Sequence, residues 1–172
     1  DGMSWDLPID QLWEAWVDGF VAELAPRCGL RALRRGDTTR RLNWGTPVRS
    51  MQRLVPDSGL RGPGRFVWVD AKYKAHLQLL TRRGWAGLSE ATRHAHRADL
   101  HQALAYAALD DVPHVDSLLV YPELAPEAPS RPAVATLAAG QRRVRLLLVG
   151  LPFGFRSPNH REQVLGEWRA LL

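Results

Sequence analysis

The chain has 172 residues, a net charge of +5 and a pI of about 10.1, with 45% hydrophobic and 24% charged residues. These values describe one ordinary globular domain, large enough to bury a core without staples, with a mild lean toward polyanionic partners. The single cysteine, Cys28, excludes an internal disulfide and an all-cysteine zinc site. No apolar run approaches the roughly 20 residues of a membrane span, and no signal peptide is visible, so a cytoplasmic location without a membrane partner is expected. Residues 1–172 are expected to form a single domain. Asp1-Gly2 ahead of Met3 reads as a cloning remnant, which leaves room for the chain to be a piece of something longer.

In chain order, residues 6–26 predict a first helix, with Asp6 as N-cap and Pro26 as stop. Ile9, Trp13, Trp16, Val17, Phe20 and Leu24 form its apolar stripe, and Glu14 flanks that stripe where it could reach a cleft. The Arg-rich stretch from Gly29 to Asn43 predicts a strand and a hairpin around Gly36-Asp37. A second strand is expected from about Val48 to Val55, closed by the turn sequence Pro56-Asp57-Ser58-Gly59. Gly62-Pro63-Gly64 then turns the chain into Val67-Trp68-Val69-Asp70-Ala71-Lys72-Tyr73-Lys74.

That stretch alternates with a period of two, so Val67, Val69, Ala71 and Tyr73 share one face and Trp68, Asp70, Lys72 and Lys74 the other. Of the 23 Lys plus Arg residues only Lys72 and Lys74 are lysine, leaving 21 arginines. Lysine is a compact point charge that the broad guanidinium of arginine does not replace. Asp70 and Lys72 are therefore candidates for chemistry rather than for a solvated strand face.

Residues 75–87 show few periodic apolar positions and predict a loop. A long helix is expected from Ser89 to Asp110, capped by Ser89, with Arg93, His94, His96 and Arg97 as a basic cluster. Leu100, Leu104, Ala107 and Ala108 supply its buried stripe, with Asp99, Gln102 and Tyr106 on a neighbouring face. Val115–Tyr121 predicts a buried strand ended by Pro122. Two further strands, Val134–Leu137 and Val144–Leu151, join through Ala139-Gly140. A last helix starts at Ser157-Pro158 and buries Val164, Leu165, Trp168 and Leu171. The order predicts an α/β fold with a mixed central sheet flanked by helices.

Four groups recur in a meaningful order: Trp13-Glu14, Pro56-Asp57, Asp70-Ala71-Lys72-Tyr73-Lys74, and Asp99-x-x-Gln102-x-x-x-Tyr106. This set resembles the PD-(D/E)XK nuclease superfamily, and within it the nuclease subunit of the McrBC modification-dependent restriction system. The match runs over about residues 10–121. The resemblance implies a restriction-endonuclease-like core and metal-dependent DNA cleavage in a bacterial antiviral defence system. It implies Asp57, Asp70, the Ala71 carbonyl and Glu14 as ligands of Mg²⁺, with Mn²⁺ able to substitute, and Lys72 as the group that orients water and stabilises charge. Gln102 and Tyr106 would orient Lys72 or a phosphate oxygen, and Asp99 would hold Arg97 or Lys74. It also implies a nucleotide-hydrolysing motor subunit or another defence component as partner, and a homodimer when both strands are cut.

Lys74, Arg82, Arg83, Arg93 and Arg97 are the expected DNA contacts. His94, His96, His101 and His114 lack a coherent facial spacing for zinc and are expected on a basic or solvated surface. Trp68 and Trp85 suit base stacking or packing. Ser58 has no partner histidine for a hydrolase triad, and no Gly-rich phosphate loop is present. The alternatives to a DNA nuclease are a catalytically silent nucleic-acid-binding module on the same fold, or an RNA or repair nuclease.

Overall fold

The computed structural model describes residues 8–45, 50–123 and 131–172. The first helix, α1 (Ile9–Arg27), turns Trp13, Val17, Phe20, Val21 and Leu24 inward at spacings of three and four. Ile9 stays exposed, so the buried stripe starts one turn later than expected, at Trp13. The expected cap Asp6 lies outside the described residues; Pro8 stands at the cap position without a side-chain bond, and Pro26 lies within the last turn rather than ending it.

A strand β1 (Arg31–Leu33) follows, then a helical turn α2 (Arg35–Thr38) and a short strand β2 (Arg40–Arg41). Gly36-Asp37 is thus inside a helical turn and is not a hairpin tip. The reason is Thr38, fully buried, whose hydroxyl bonds the carbonyls of Arg35 at 2.9 Å and Pro56 at 2.7 Å. The strand expected from Val48 shrinks to β3 (Arg53–Leu54), paired with β2, and Val48 lies outside the described residues. Asp57 does not end a strand but immediately precedes one, β4 (Ser58–Gly62).

Gly64, at φ +65°, makes the turn from β4 into β5 (Arg65–Ala71). The period of two holds on β5: Val67, Val69 and Ala71 pack toward α1, while Phe66 and Trp68 pack on the opposite face. Neither face is solvated, because helices pack on both sides of the sheet over β5. Residues expected as a loop form α3 (His76–Arg83), a helix with little buried apolar surface beyond Leu77. The long helix is α4 (Glu90–Ala107), and the Ser89 hydroxyl accepts from the Thr92 N–H as a cap should.

The remaining elements are β6 (His114–Glu123), β7 (Ala133–Ala139), β8 (Arg142–Pro152) and α5 (Pro158–Leu171), the last capped by Ser157. Pro122 does not end β6. The Val120 carbonyl accepts from Lys72 N–H, so Val120 and Pro122 both face β5, whose ladder has already stopped at Ala71. The missing amide of Pro122 therefore costs no sheet bond there.

The six-stranded sheet runs β1-β4-β5-β6-β8-β7. β5, β6 and β8 are mutually parallel neighbours, and the outer pairings are antiparallel. Helices α1 and α5 cover one face, with Trp13, Leu24, Leu165 and Trp168 in that core. On the other face α3 and α4 cover the sheet through Leu77, Ala103, Tyr106 and Ala107. This is the α/β architecture with a mixed central sheet that the sequence predicts. Among the described residues no helix is long and apolar enough to cross a membrane.

Candidate active site

The candidate residues converge where β5 runs out. Asp70 shares the pleat side of Phe66 and Trp68, so it points toward α4, and it is buried. Asp57 arrives from the segment just before β4, because β4 pairs antiparallel with β5 only from Ser58↔Val69 onward. Beyond that pair the Ala71 amide has no strand beside it and donates instead to Asp57 Oδ2 at 2.9 Å. Backbone alternation turns the Ala71 carbonyl to the same side. Thr38 fixes the approach from behind through the Pro56 carbonyl.

Lys72 Nζ lies 2.6 Å from Asp70 Oδ2, an ion pair that misses hydrogen-bond alignment and leaves Oδ2 without a hydrogen bond. The same ammonium donates to Gln102 Oε1 at 2.9 Å, and Gln102 Nε2 donates to Tyr106 OH at 2.6 Å. Gln102 and Tyr106 are one turn apart on α4, which makes this relay a consequence of helical spacing. Lys74 binds Asp99 Oδ1 at 2.7 Å and Oδ2 at 3.1 Å. Of the two partners expected for Asp99, Lys74 is therefore the one it holds.

Electrostatics follow from burial. Burial pushes the Asp57 carboxyl up to about 6, and the neighbouring Asp70 charge adds to this while the Ala71 N–H opposes it. Burial also raises Asp70, against the pull of Lys72. Burial, with Asp70 nearby, pushes Tyr106 up to about 12, so it stays a neutral phenol.

Glu14 and Asp57 line one open cleft of about 430 Å³ together with Asp10, Asp18 and Arg35. Arg35 pairs with Glu14 at 2.9 Å, so Glu14 is engaged by a cation from α2. Asp57, Asp70 and the Ala71 carbonyl offer hard oxygen donors, with Lys72 Nζ beside the Asp70 oxygen; the expected fourth donor, Glu14, is held by Arg35, and the three carboxylates do not all come within 4.8 Å of one another. That donor set fits a magnesium-like ion, which takes oxygen ligands and keeps several waters.

Arg82 and Arg83 sit exposed at the end of α3, and in the first turns of α4 Arg97 is exposed and Arg93 half-buried. Arg97 lies over the exposed Trp85 ring, 5.9 Å from its centre. His96 leaves this basic cluster, being fully buried, whereas His94 and His101 are exposed. Trp68 is not available to a base: it is buried against Phe66 and Tyr106, with Arg40 over its ring at 5.2 Å. Sequence reasoning missed Thr38 and Arg35, whose partners lie across the fold. It also missed His76, which meets His96 and Asp99 from another helix.

The molecule is thus an α/β protein in which a mixed sheet presents two carboxylates and a lysine at the end of a central strand. No family model matches the chain, and no curated protein matches it. Its fold is similar to a chain in the refined half-complex of the tetradecameric assembly of Thermococcus gammatolerans McrB AAA+ hexamers with bound McrC. The TM-score is 0.56, at 14% identity, over 94% of this chain. The chain spans 34% of that chain's length.

Proposed function

We propose that this chain is the nuclease domain of a restriction or antiviral defence system, a Mg²⁺-dependent PD-(D/E)XK endodeoxyribonuclease that works with a nucleotide-hydrolysing motor. The observation that carries this reading is the joining of Asp57, Asp70 and Lys72 at the end of β5, with Lys72 tied to Gln102. The fold shared with a chain of the McrB–McrC assembly supports the class and the kind of partner.

The chemistry asks for this arrangement. A phosphodiester is an anion and repels an attacking hydroxide. When bound by Asp57, Asp70, the Ala71 carbonyl and Glu14, Mg²⁺ supplies positive charge at the phosphate and lowers the pKa of its water. Asp57 and Asp70 stand together at the cost of mutual repulsion, which a cation relieves. Lys72 brings a fixed ammonium to where negative charge develops on the phosphate, and Gln102 holds that ammonium by one hydrogen bond. Tyr106 stays neutral and orients Gln102. Glu14 must let go of Arg35 to join the ligand set. Arg82, Arg83, Arg93 and Arg97 supply phosphate contacts outside the carboxylate pair.

The test is cleavage of supercoiled plasmid, linear duplex and single-stranded RNA by purified protein with Mg²⁺ or Mn²⁺. Cleavage of the DNA substrates, abolished in Asp57→Ala, Asp70→Ala and Lys72→Ala, is expected. Undiminished cleavage by Asp70→Ala overturns the reading. Binding to DNA without any cleavage, with or without a motor partner, would make the domain a silent module instead.

A further inference from the structure

His76, His96 and Asp99 form a second cluster of ligating groups beside the Asp57–Asp70 pair. Their ligand atoms lie within 4.8 Å of one another, and all three residues are buried. His96 and Asp99 are three residues apart on one face of α4, and His76 is the first residue of α3. We propose that His76, His96 and Asp99 form a site for a zinc-class divalent ion that pins the start of α3 to α4.

The donor set chooses the ion. Two imidazoles and one carboxylate suit zinc and its borderline neighbours, whereas magnesium takes oxygen ligands. Three protein ligands leave a fourth position for water, the pattern of an open zinc site. His76 Nδ1 is buried without a hydrogen bond, although Asp99 Oδ2 is only 3.3 Å away. A nitrogen and a carboxylate oxygen brought so close without hydrogen-bond alignment suit two ligands of one cation.

His96 has a polar neighbour of its own. Its Nδ1 lies 3.3 Å from Tyr121 OH. When that nitrogen donates to the phenol oxygen, Nε2 keeps its lone pair, the usual outer-shell arrangement of a ligating histidine. Burial holds Tyr121 well above its ordinary range, so it remains a phenol. Burial also holds both imidazoles below their ordinary value, with His76 adding to the effect on His96, which favours the neutral ring that binds metal. Lys74 keeps its shorter contact on Asp99 Oδ1; Oδ2, which Lys74 reaches at 3.1 Å, is the oxygen that faces His76 at 3.3 Å.

An ion here would give α3 an anchor that its sparse apolar contacts do not. Its charge would also sit one carboxylate away from the active-site lysine, since Asp99 Oδ1 is 4.0 Å from Lys72 Nζ.

The test is a titration of the full 172-residue chain carrying Asp57→Asn and Asp70→Asn, with Co²⁺ and then Zn²⁺. Removing that carboxylate pair separates this site from the nuclease reading, so either can fail alone. One equivalent of Co²⁺ should give visible absorption of a low-coordinate, nitrogen-ligated ion, displaced by Zn²⁺. Zinc at about 100 times its dissociation constant should raise Tm by roughly 5–10 °C. Adding His76→Gln or His96→Ala should weaken binding beyond the roughly 10–100-fold loss typical of an outer-shell partner. His101→Ala, on the exposed side of α4, should bind as before. Should His96→Ala fail to fold without metal, His76→Gln and the Co²⁺ spectrum decide. No absorption at one equivalent, or unchanged binding in His76→Gln, overturns the proposal.

Discussion

Gln102 takes a proton donor on its oxygen and gives one from its nitrogen: Lys72 Nζ lies 2.9 Å from Oε1, and Tyr106 OH 2.6 Å from Nε2. The amide is therefore locked in one orientation, and the ammonium of Lys72 is held between Gln102 and Asp70. Gln102→Ala removes the lock while leaving every charge in place. The expected outcome is a single-turnover cleavage rate about 10–100-fold lower, with DNA affinity unchanged. Lys72→Arg should be as inactive as Lys72→Ala, because a planar fork does not fit a point-charge position. An unaltered rate in Gln102→Ala would show that the relay is only structural.

Asp57 makes the metal-free protein pH-sensitive in a definite direction. Its folded-state pKa is raised to about 6, so between about pH 4 and 6 the folded state binds more protons than the unfolded one. Stability from this group is thus greatest at the acidic end of the window and is lost as pH rises through 6. Without divalent ions, Tm should fall across that window, and Asp57→Asn should flatten the slope and raise neutral-pH stability by about 1–2 kcal/mol. Thermal melts at several pH values in EDTA check this, and an identical slope in both proteins would contradict it.

Asp116 on β6 gives the opposite linkage. Although buried, its carboxyl is held below the usual range, first by Arg145 at 2.6 Å through both oxygens and then by Arg65 at 2.5 Å. A depressed folded-state pKa adds stability above the ordinary carboxylate range, and that stability is lost as pH falls below about 4. Asp116→Ala leaves two partly buried guanidiniums without their shared partner and should cost about 3–5 kcal/mol. Urea denaturation at neutral pH measures it. DNA affinity of the folded variant should stay unchanged.

Arg82, Arg83, Arg93 and Arg97 should set affinity by contact with phosphates. Reversing Arg82 and Arg93 to Glu should weaken duplex binding by about tenfold or more at 0.1 M salt and lower the slope of log K against log salt by about one per lost contact. Fluorescence anisotropy at several salt concentrations reads both values. Metal affinity at the carboxylates should not move. An unchanged slope would mark these residues as ordinary solvated surface.

The domain by itself is expected to cut slowly. It lacks a Gly-rich phosphate loop, and it spans 34% of the chain whose fold it shares. On the proposed nuclease reading one site would cut one strand, so a double-strand break would need two copies or two events. Nicking of supercoiled plasmid should precede linearisation, and linearisation should rise more steeply than in proportion to protein concentration. Linearisation by nanomolar protein, first order in enzyme and with no partner added, would remove the need for one.

Local spacing is what made much of this molecule legible from its sequence. Trp13, Val17, Phe20 and Leu24 recur at helical intervals, and Val67, Val69 and Ala71 alternate, so the faces they bury were determined before any tertiary contact. Caps such as Ser89 and Ser157 act within three residues and were equally readable. The candidate set was visible as residue types in order, with Gln102 and Tyr106 one helix turn apart, although the strand expected to carry both Asp70 and Lys72 stops at Ala71 and Lys72 meets Asp70 from just beyond it. Elements with weak periodicity were not. Residues 76–83 form a helix with little buried apolar surface, and Gly36-Asp37 entered a helical turn because Thr38 is tied to Pro56 from a distant segment.

Only the tertiary structure decided who meets whom. Asp57 reaches the Ala71 amide because β4 starts just short of it, and Arg35 reaches Glu14 across 21 residues. His76 joins His96 and Asp99 because two helices lie against the same sheet face, a closeness that no spacing along the chain encodes. Periodicity fixes which way a side chain points within its own element. What stands opposite depends on sheet order and register, and those are set by the whole core at once.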